Sequence, residues 1–355
     1  MSLSLPTEPI GSIPRPRELI DGFQDLQNGK INFSDIEKIF DAAVKDTIRR
    51  FEETGSPVIT DGEQRKHSFI TYPLFGLKNL SANGVVIPFE DGHTRQLPAL
   101  SKGPFRYSTY ASTNLIKAKK FAKKPLKQAV ISASAMSLLY PAAGISEYSK
   151  EEFIADLIGE AEKDIRQCLN EDVSVQIDFT EGRLAVKLDP SKSLLKSFID
   201  LNNRVLDRFT DQEKLRIGVH TCPGGDHDST HSADVNYADF LPEFFQLNVG
   251  SFFVQLASES DRKMVLKTIR PFARDKRRIF VGVTDPIKRE IETPEQVKSR
   301  ILEAVDFISP DHLGTTDDCG FSPFSDDLST SREVAFEKIR ARVLGTQLAI
   351  DKLGL

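Results

Sequence analysis

The stretch "LRIGVHTCPGG", residues 215 to 225, reads as a strand that stops at a polar tip. Apolar and β-branched residues lead into it, and Pro223-Gly224-Gly225 ends any further ladder pairing. A strand repeats every two residues, so His220 and Cys222 leave the same face at the exposed end. An imidazole and a thiol placed in this way belong to a site and not to a core.

Seven more stretches have the same form: 57–63, 104–110, 128–134, 173–179, 251–258, 278–285 and 311–319. Amphipathic helical stretches lie between them. One is 34–55, with Ser34 and Glu37 as a cap and Gly55 as a stop; another opens with a Ser149/Glu152 capping box. Eight strands alternating with helices predict an α/β fold, a (β/α)8 TIM barrel, as a single domain over residues 1–355. The alternation breaks once. In "SANGVVIPFEDGHTRQL" (81–97), Asp91-Gly92 between two mixed polar and apolar runs predicts a β-hairpin inserted after the first strand.

Composition narrows the function. The net charge of -5, with both signs interleaved, offers no basic surface for nucleic acid. "KAKKFAKKPLK" (117–127) reads as a solvated helix end. No apolar run approaches the roughly 20 residues of a membrane span. "MSLSLPTEPIGS" lacks the regions of a signal peptide, so a cytoplasmic protein is expected, with neither membrane nor nucleic acid as a partner. Three cysteines are too few and odd for a disulfide framework. Cys168 keeps helical spacing with Leu157, Ala161 and Ile165 and is expected in the core. Cys222 and Cys319 stand beside Pro, Gly and Asp at the ends of apolar runs.

Active sites of barrels sit at the C-terminal ends of the strands. Glu63, Asp178, His220, Cys222, Asp285 and Cys319 each close a predicted strand there. Two thiolates and an imidazole suit tetrahedral zinc, and the ring can bring residues 220–222 and 319 together over its mouth. Without a CxxC knuckle, a His-x-Cys pair plus a remote Cys fits a catalytic site with an open position. A metal-free Cys/His nucleophile pair is the alternative, and it leaves Cys319 unexplained.

Taken in order, "IGSIPRP" (10–16), "DGEQR" (61–65), "QID" (176–178), "HTC" (220–222), "GVTDP" (282–286) and "DDCG" (317–320) resemble the catalytic half of cobalamin-independent methionine synthase, in its short single-barrel form. The resemblance implies zinc-dependent transfer of a methyl group to the thiol of homocysteine, giving methionine. It implies that His220, Cys222 and Cys319 hold zinc. Ile10, Gly11 and Ser12 would bind the amino-acid carboxylate, Glu63 and Asp178 its ammonium, and Asp285 would act in catalysis. The sequence also departs from the family. The glutamate that serves there as the remaining zinc ligand falls at Gln255 or Leu256, with Glu259 the nearest acid. The stacking tryptophan cannot exist in a chain without Trp, where Met136 or Tyr140 stands instead, and the histidine after the Asp285 position is absent from "DPIKRE". The methyl donor is therefore open between methyltetrahydrofolate and a corrinoid or accessory protein.

Three other readings compete. A zinc methyltransferase for another small thiol, or a decarboxylase of the same fold, would not need two ammonium-binding acids. A zinc storage protein would need a closed site with four protein ligands.

Overall fold

The computed structural model describes residues 5–355. Six strands form one parallel sheet: β1 Lys127–Ile131, β2 Ser174–Asp178, β3 Ile217–Thr221, β4 Ser251–Val254, β5 Arg278–Thr284 and β6 Leu313–Asp317, paired in chain order. Helices cover the outer face and side chains fill the inner one, so the strands are nearly continuous apolar runs. In β5, every residue after Arg278 is buried.

Two further segments complete a ring of eight staves. Beside β1, Ile59 bridges Leu126; its N–H donates to Pro125 O (3.0 Å) and its carbonyl accepts from Lys127 N–H (2.9 Å). Beside β6, Thr7 bridges Thr315, with Glu8 N–H on Thr315 O (3.0 Å) and Thr315 N–H on Pro6 O (2.9 Å). These two segments also meet each other. Ile13 N–H donates to Gly62 O at 3.0 Å, and Thr60 Oγ1 to Gly11 O at 2.7 Å. The sheet closes as a (β/α)8 barrel.

One predicted stave is replaced. Residues 104–110 form no strand, because their backbone donors are taken by side chains from elsewhere. Phe105 N–H donates to Tyr148 Oη (2.9 Å) and Tyr107 N–H to Glu160 (3.0 Å), and just beyond them Ala111 N–H donates to Asp164 (2.7 Å). Glu160 and Asp164 lie on helix Lys150–Asn170, whose Ser149/Glu152 capping box is present. The N-terminal segment supplies the eighth stave instead, between the Ile59 segment and β6, while Ile59 lies directly beside β1. The predicted strand 57–63 contributes only its bridge at Ile59. Helix Phe33–Glu53 begins one residue before Ser34: Asn32 accepts from Ser34 and Asp35 N–H and forms the capping box with Asp35.

The inserted hairpin pairs Val86 with Gln96, Ile87 with Arg95 and Pro88 with Thr94. Its turn needs Gly92 at φ +92°, a left-handed conformation open to glycine. The hairpin bends over the C-terminal rim, where Glu90 N–H donates to Thr230 O at 2.9 Å. Arg95 fastens it there, with Nε 2.5 Å from Asp226 and Nη2 2.9 Å from Asp326. Among the described residues, no helix is long and apolar enough to cross a membrane.

Candidate active site

Parallel pairing sets the site's first relationship. In the β2–β3 register Asp178 is opposite His220, and both side chains reach the C-terminal end. Asp178 Oδ1 lies 3.2 Å from His220 Nδ1 and also accepts from Gln176 Nε2 at 2.8 Å. His220 Nε2 is buried without a partner. Cys222 follows β3, and Cys319 follows β6 across the mouth. Donor atoms of His220, Cys222 and Cys319 all lie within 4.8 Å of one another. The two sulfurs are 2.8 Å apart with no disulfide between them, and Gly224 N–H approaches Cys222 Sγ at 3.4 Å.

This donor set fits a borderline-soft cation such as zinc. The orphaned Nε2 has no other use, and Asp178 holds the opposite nitrogen as outer carboxylates do for metal-bound imidazoles. Without a cation the Cys319 thiol is pushed up by its hydrogen bond with Cys222 and by burial. Burial works against the His220 proton, but Asp178 and Cys319 outweigh it and raise the imidazole to about 9. A cation among the three groups favours the opposite states, neutral imidazole and thiolate.

Glu259 is engaged elsewhere. Its carboxylate pairs with buried Arg183 at 2.9 Å and accepts from Gln255 Nε2 at 2.7 Å. Leu256 is fully buried, its N–H on Asp318 at 2.8 Å. The cluster among the described residues thus has three protein donors, leaving a position for a ligand.

Seven of the nine residues singled out from sequence line one largely apolar cavity; Gly11 and Asp285 do not. Glu63 and Asp178 face each other's charge across it. Burial raises the Glu63 carboxyl, Lys66 (3.1 Å) opposes that, and Asp178 adds to it. Glu63 sits at φ +56°, a strained position for a non-glycine residue. Buried Arg15 pins this loop through Glu63 O and Lys66 O, both at 2.8 Å. Two neighbouring acids in a buried cavity make a receptor for a cation with several hydrogen-bond donors.

The N-terminal loop passes under the same cavity. Ile10 O accepts from Gln176 Nε2 at 3.1 Å, and Gly11 has φ +148°. Ser12 Oγ accepts from Ser322 N–H at 3.2 Å, and Ser12 O from Phe321 N–H at 3.0 Å. A Cβ at Gly320 would lie 2.1 Å from Ser12 Oγ, so a larger residue there would displace the hydroxyl. Asp285 closes its own turn. Its Oδ1 accepts from Ile287 N–H at 3.1 Å, and Lys288 Nζ is 3.5 Å from Oδ2.

Among the polar residues on the wall that were not singled out from sequence are Glu181 and His231. His231 is lowered to about 4 by burial and by Lys187 and Arg183, so the ring is neutral. Nothing in the sequence around "STHSAD" marks it as part of a site. Glu181 lies three residues beyond Asp178, at the start of helix Glu181–Leu188, where an acid also complements the helix dipole.

The chain is similar to known proteins over nearly its whole length. The family described as cobalamin-independent synthase, catalytic domain, matches residues 5–332. A methionine synthase of Sulfurisphaera tokodaii is 24% identical, over 98% of this chain and 94% of the relative. That of Saccharolobus solfataricus is 22% identical, over 98% and 96%. A solved B12-independent methionine synthase from Shewanella sp. W3-18-1, in complex with selenomethionine, superposes with a TM-score of 0.76 at 18% identity, covering 98% of each chain, and shares the fold. The chain belongs to the cobalamin-independent methionine synthase family, which it matches over the catalytic domain.

Proposed function

We propose that this chain methylates the thiol of homocysteine to give methionine, with zinc held by His220, Cys222 and Cys319. One observation carries the reading: the N,S,S cluster shares its cavity with the paired carboxylates of Glu63 and Asp178. Zinc, when bound, withdraws charge from a coordinated thiol and leaves it a thiolate at neutral pH, as attack on a methyl carbon requires.

The chain's own residues do the rest. Glu63 and Asp178 hold the substrate ammonium, and Ile10 and Ser12 hold its carboxylate, with Gly11 between them giving the loop its turn. Asp178 holds His220 by Nδ1 and leaves Nε2 free, the atom that would hold the metal. The hairpin roof, with Ile87 and Phe89 buried against the cavity, excludes water from the reacting atoms. Asp285, in the turn that follows β5, acts at the donor end of the site. The donor is methyltetrahydrofolate or a methyl corrinoid, alone or delivered by an accessory protein. With three free thiols, we place the reaction in the cytoplasm.

The test is direct. Zinc-loaded protein given homocysteine and each donor in turn should form methionine, detected by mass spectrometry. Coenzyme M, a thiol without an ammonium, should be a poor acceptor because Glu63 and Asp178 stay unmatched. Equal use of both thiols would overturn the assignment of the two carboxylates and favour the other small-thiol reading.

A further inference from the structure

We propose that Glu181 is the acid that protonates the leaving group of an N-methyl donor. The inference rests on the homocysteine reading and adds a residue that neither the sequence motifs nor the metal cluster calls for.

Glu181 lines the cavity and is 6% exposed. Two serines fix which of its oxygens can bear a proton. Ser132 Oγ already accepts from Ala135 N–H (3.1 Å), so its hydrogen goes to Glu181 Oε1, 2.6 Å away. Ser134 Oγ accepts from Asn202 Nδ2 (2.6 Å) and likewise donates to Oε1. Both lone pairs of Oε1 are thereby filled, and any proton sits on Oε2. Oε2 is buried and has no partner. A buried hydroxyl-bearing oxygen without a partner is costly unless a ligand meets it.

The groups it meets on helices Ala133–Ser137 and Ser193–Leu206 are neutral: Ser134, with Asn202 behind it. The cations on the cavity wall have acids of their own, Lys187 with Asp234 and Arg95 with Asp226. The other ionisable groups on that wall are Glu63, Asp178, His220, His231 and the two cysteines. Burial raises the Glu181 carboxyl to about 7, outweighing the two serine hydroxyls and the backbone N–H groups of Glu181 and Ala135, which favour the charged form. A carboxylic acid poised near the working pH is suited to proton transfer.

The step balances. The homocysteine thiolate attacks the methyl carbon, the S–C bond forms and the C–N bond breaks, and its electron pair stays on nitrogen. Nitrogen takes the Glu181 proton; the proton released earlier by the thiol returns to solvent, from which Glu181 is reprotonated.

The test compares leaving groups. E181Q keeps the shape and both serine contacts, and its zinc content and homocysteine binding should match wild type. With methyltetrahydrofolate, kcat should fall about 10²- to 10⁴-fold. With methylcobalamin, whose corrinoid departs without a proton, the loss should stay below about threefold, and E181D should restore part of the folate rate. If wild type uses methyltetrahydrofolate alone, its rate should fall as pH rises through about 7 while the E181Q rate stays flat; identical profiles would overturn the proposal. Equal loss with both donors, no loss with either, or a wild type that uses methylcobalamin alone also overturns the acid role while leaving the methionine-synthase reading in place. A wild type silent with every donor removes both.

Discussion

Asp178 and His220 are register partners on neighbouring strands, and a hydrogen-bonding contact of 3.2 Å between Oδ1 and Nδ1 joins them. The same carboxylate that would receive the substrate ammonium thus holds the imidazole by Nδ1 and leaves Nε2 as its free nitrogen. Removing it should act twice. D178A should weaken zinc about 10- to 100-fold, the usual effect of losing an outer partner of a metal-bound histidine. D178N can still accept from Nδ1–H through its amide oxygen. It should keep most of the metal affinity while raising the KM for homocysteine. Chelator competition and steady-state kinetics separate the two effects, and equal zinc affinity in D178A and wild type would contradict the first.

Zinc content tests the ligand set independently of activity. C222S and C319S should each fall well below one zinc per chain, because a hydroxyl does not replace a thiolate in this donor set. C168S should keep the full metal content. Cys168 is completely buried in helix Lys150–Asn170, and burial pushes its thiol far up, so it behaves as a small apolar residue. Metal analysis after dialysis decides, and loss of zinc in C168S would refute the division among the three cysteines.

E259Q should keep its zinc, since the Glu259 carboxylate is held by Arg183 and Gln255. Its cost should fall on stability. Arg183 is 2% exposed, and losing the partner of a buried charge typically costs about 3 to 5 kcal/mol. Here Ala233 O and Val235 O still accept from the guanidinium, so the lower end, about 3 kcal/mol, is expected. Urea denaturation of wild type and E259Q, with zinc measured in the same samples, checks both statements. A zinc-free but equally stable variant would make Glu259 a ligand.

What sequence could and could not reveal follows from the range of the interactions. His220, Cys222 and Pro223 speak through local rules, the two-residue strand period and the missing proline N–H, so the strand tip was legible. The hairpin was legible for the same reason, since Asp91-Gly92 supplies its own turn chemistry. "PFRYSTY" has strand-like composition, yet Tyr148 and Glu160 claim its Phe105 and Tyr107 amides from some 40 to 55 residues away. The stave that replaces it, Leu5 to Ile13, carries two prolines and a glycine and has no strand pattern. Glu181 was hidden by an ordinary role, since an acid in the first turn of a helix complements its dipole. Only the third dimension places its free oxygen beside the cavity.

The last prediction concerns Asp164, whose carboxylate is 2% exposed behind the barrel. Burial raises its carboxyl from 3.8 to about 6, against the hydrogen bonds from Tyr72 Oη and Ala111 N–H that favour the charged form. The folded state therefore holds this proton more tightly than the unfolded chain does. The associated stability is fully present below about pH 4 and is lost as pH rises through about 6. A shift of this size corresponds to roughly 3 kcal/mol at most. D164N cannot titrate, so the stability difference, D164N minus wild type, should grow between pH 4 and pH 7 and level off above it. Denaturant midpoints of the two proteins across that range measure the difference. A gap that stays constant with pH would mean that Asp164 is ionised in the fold throughout.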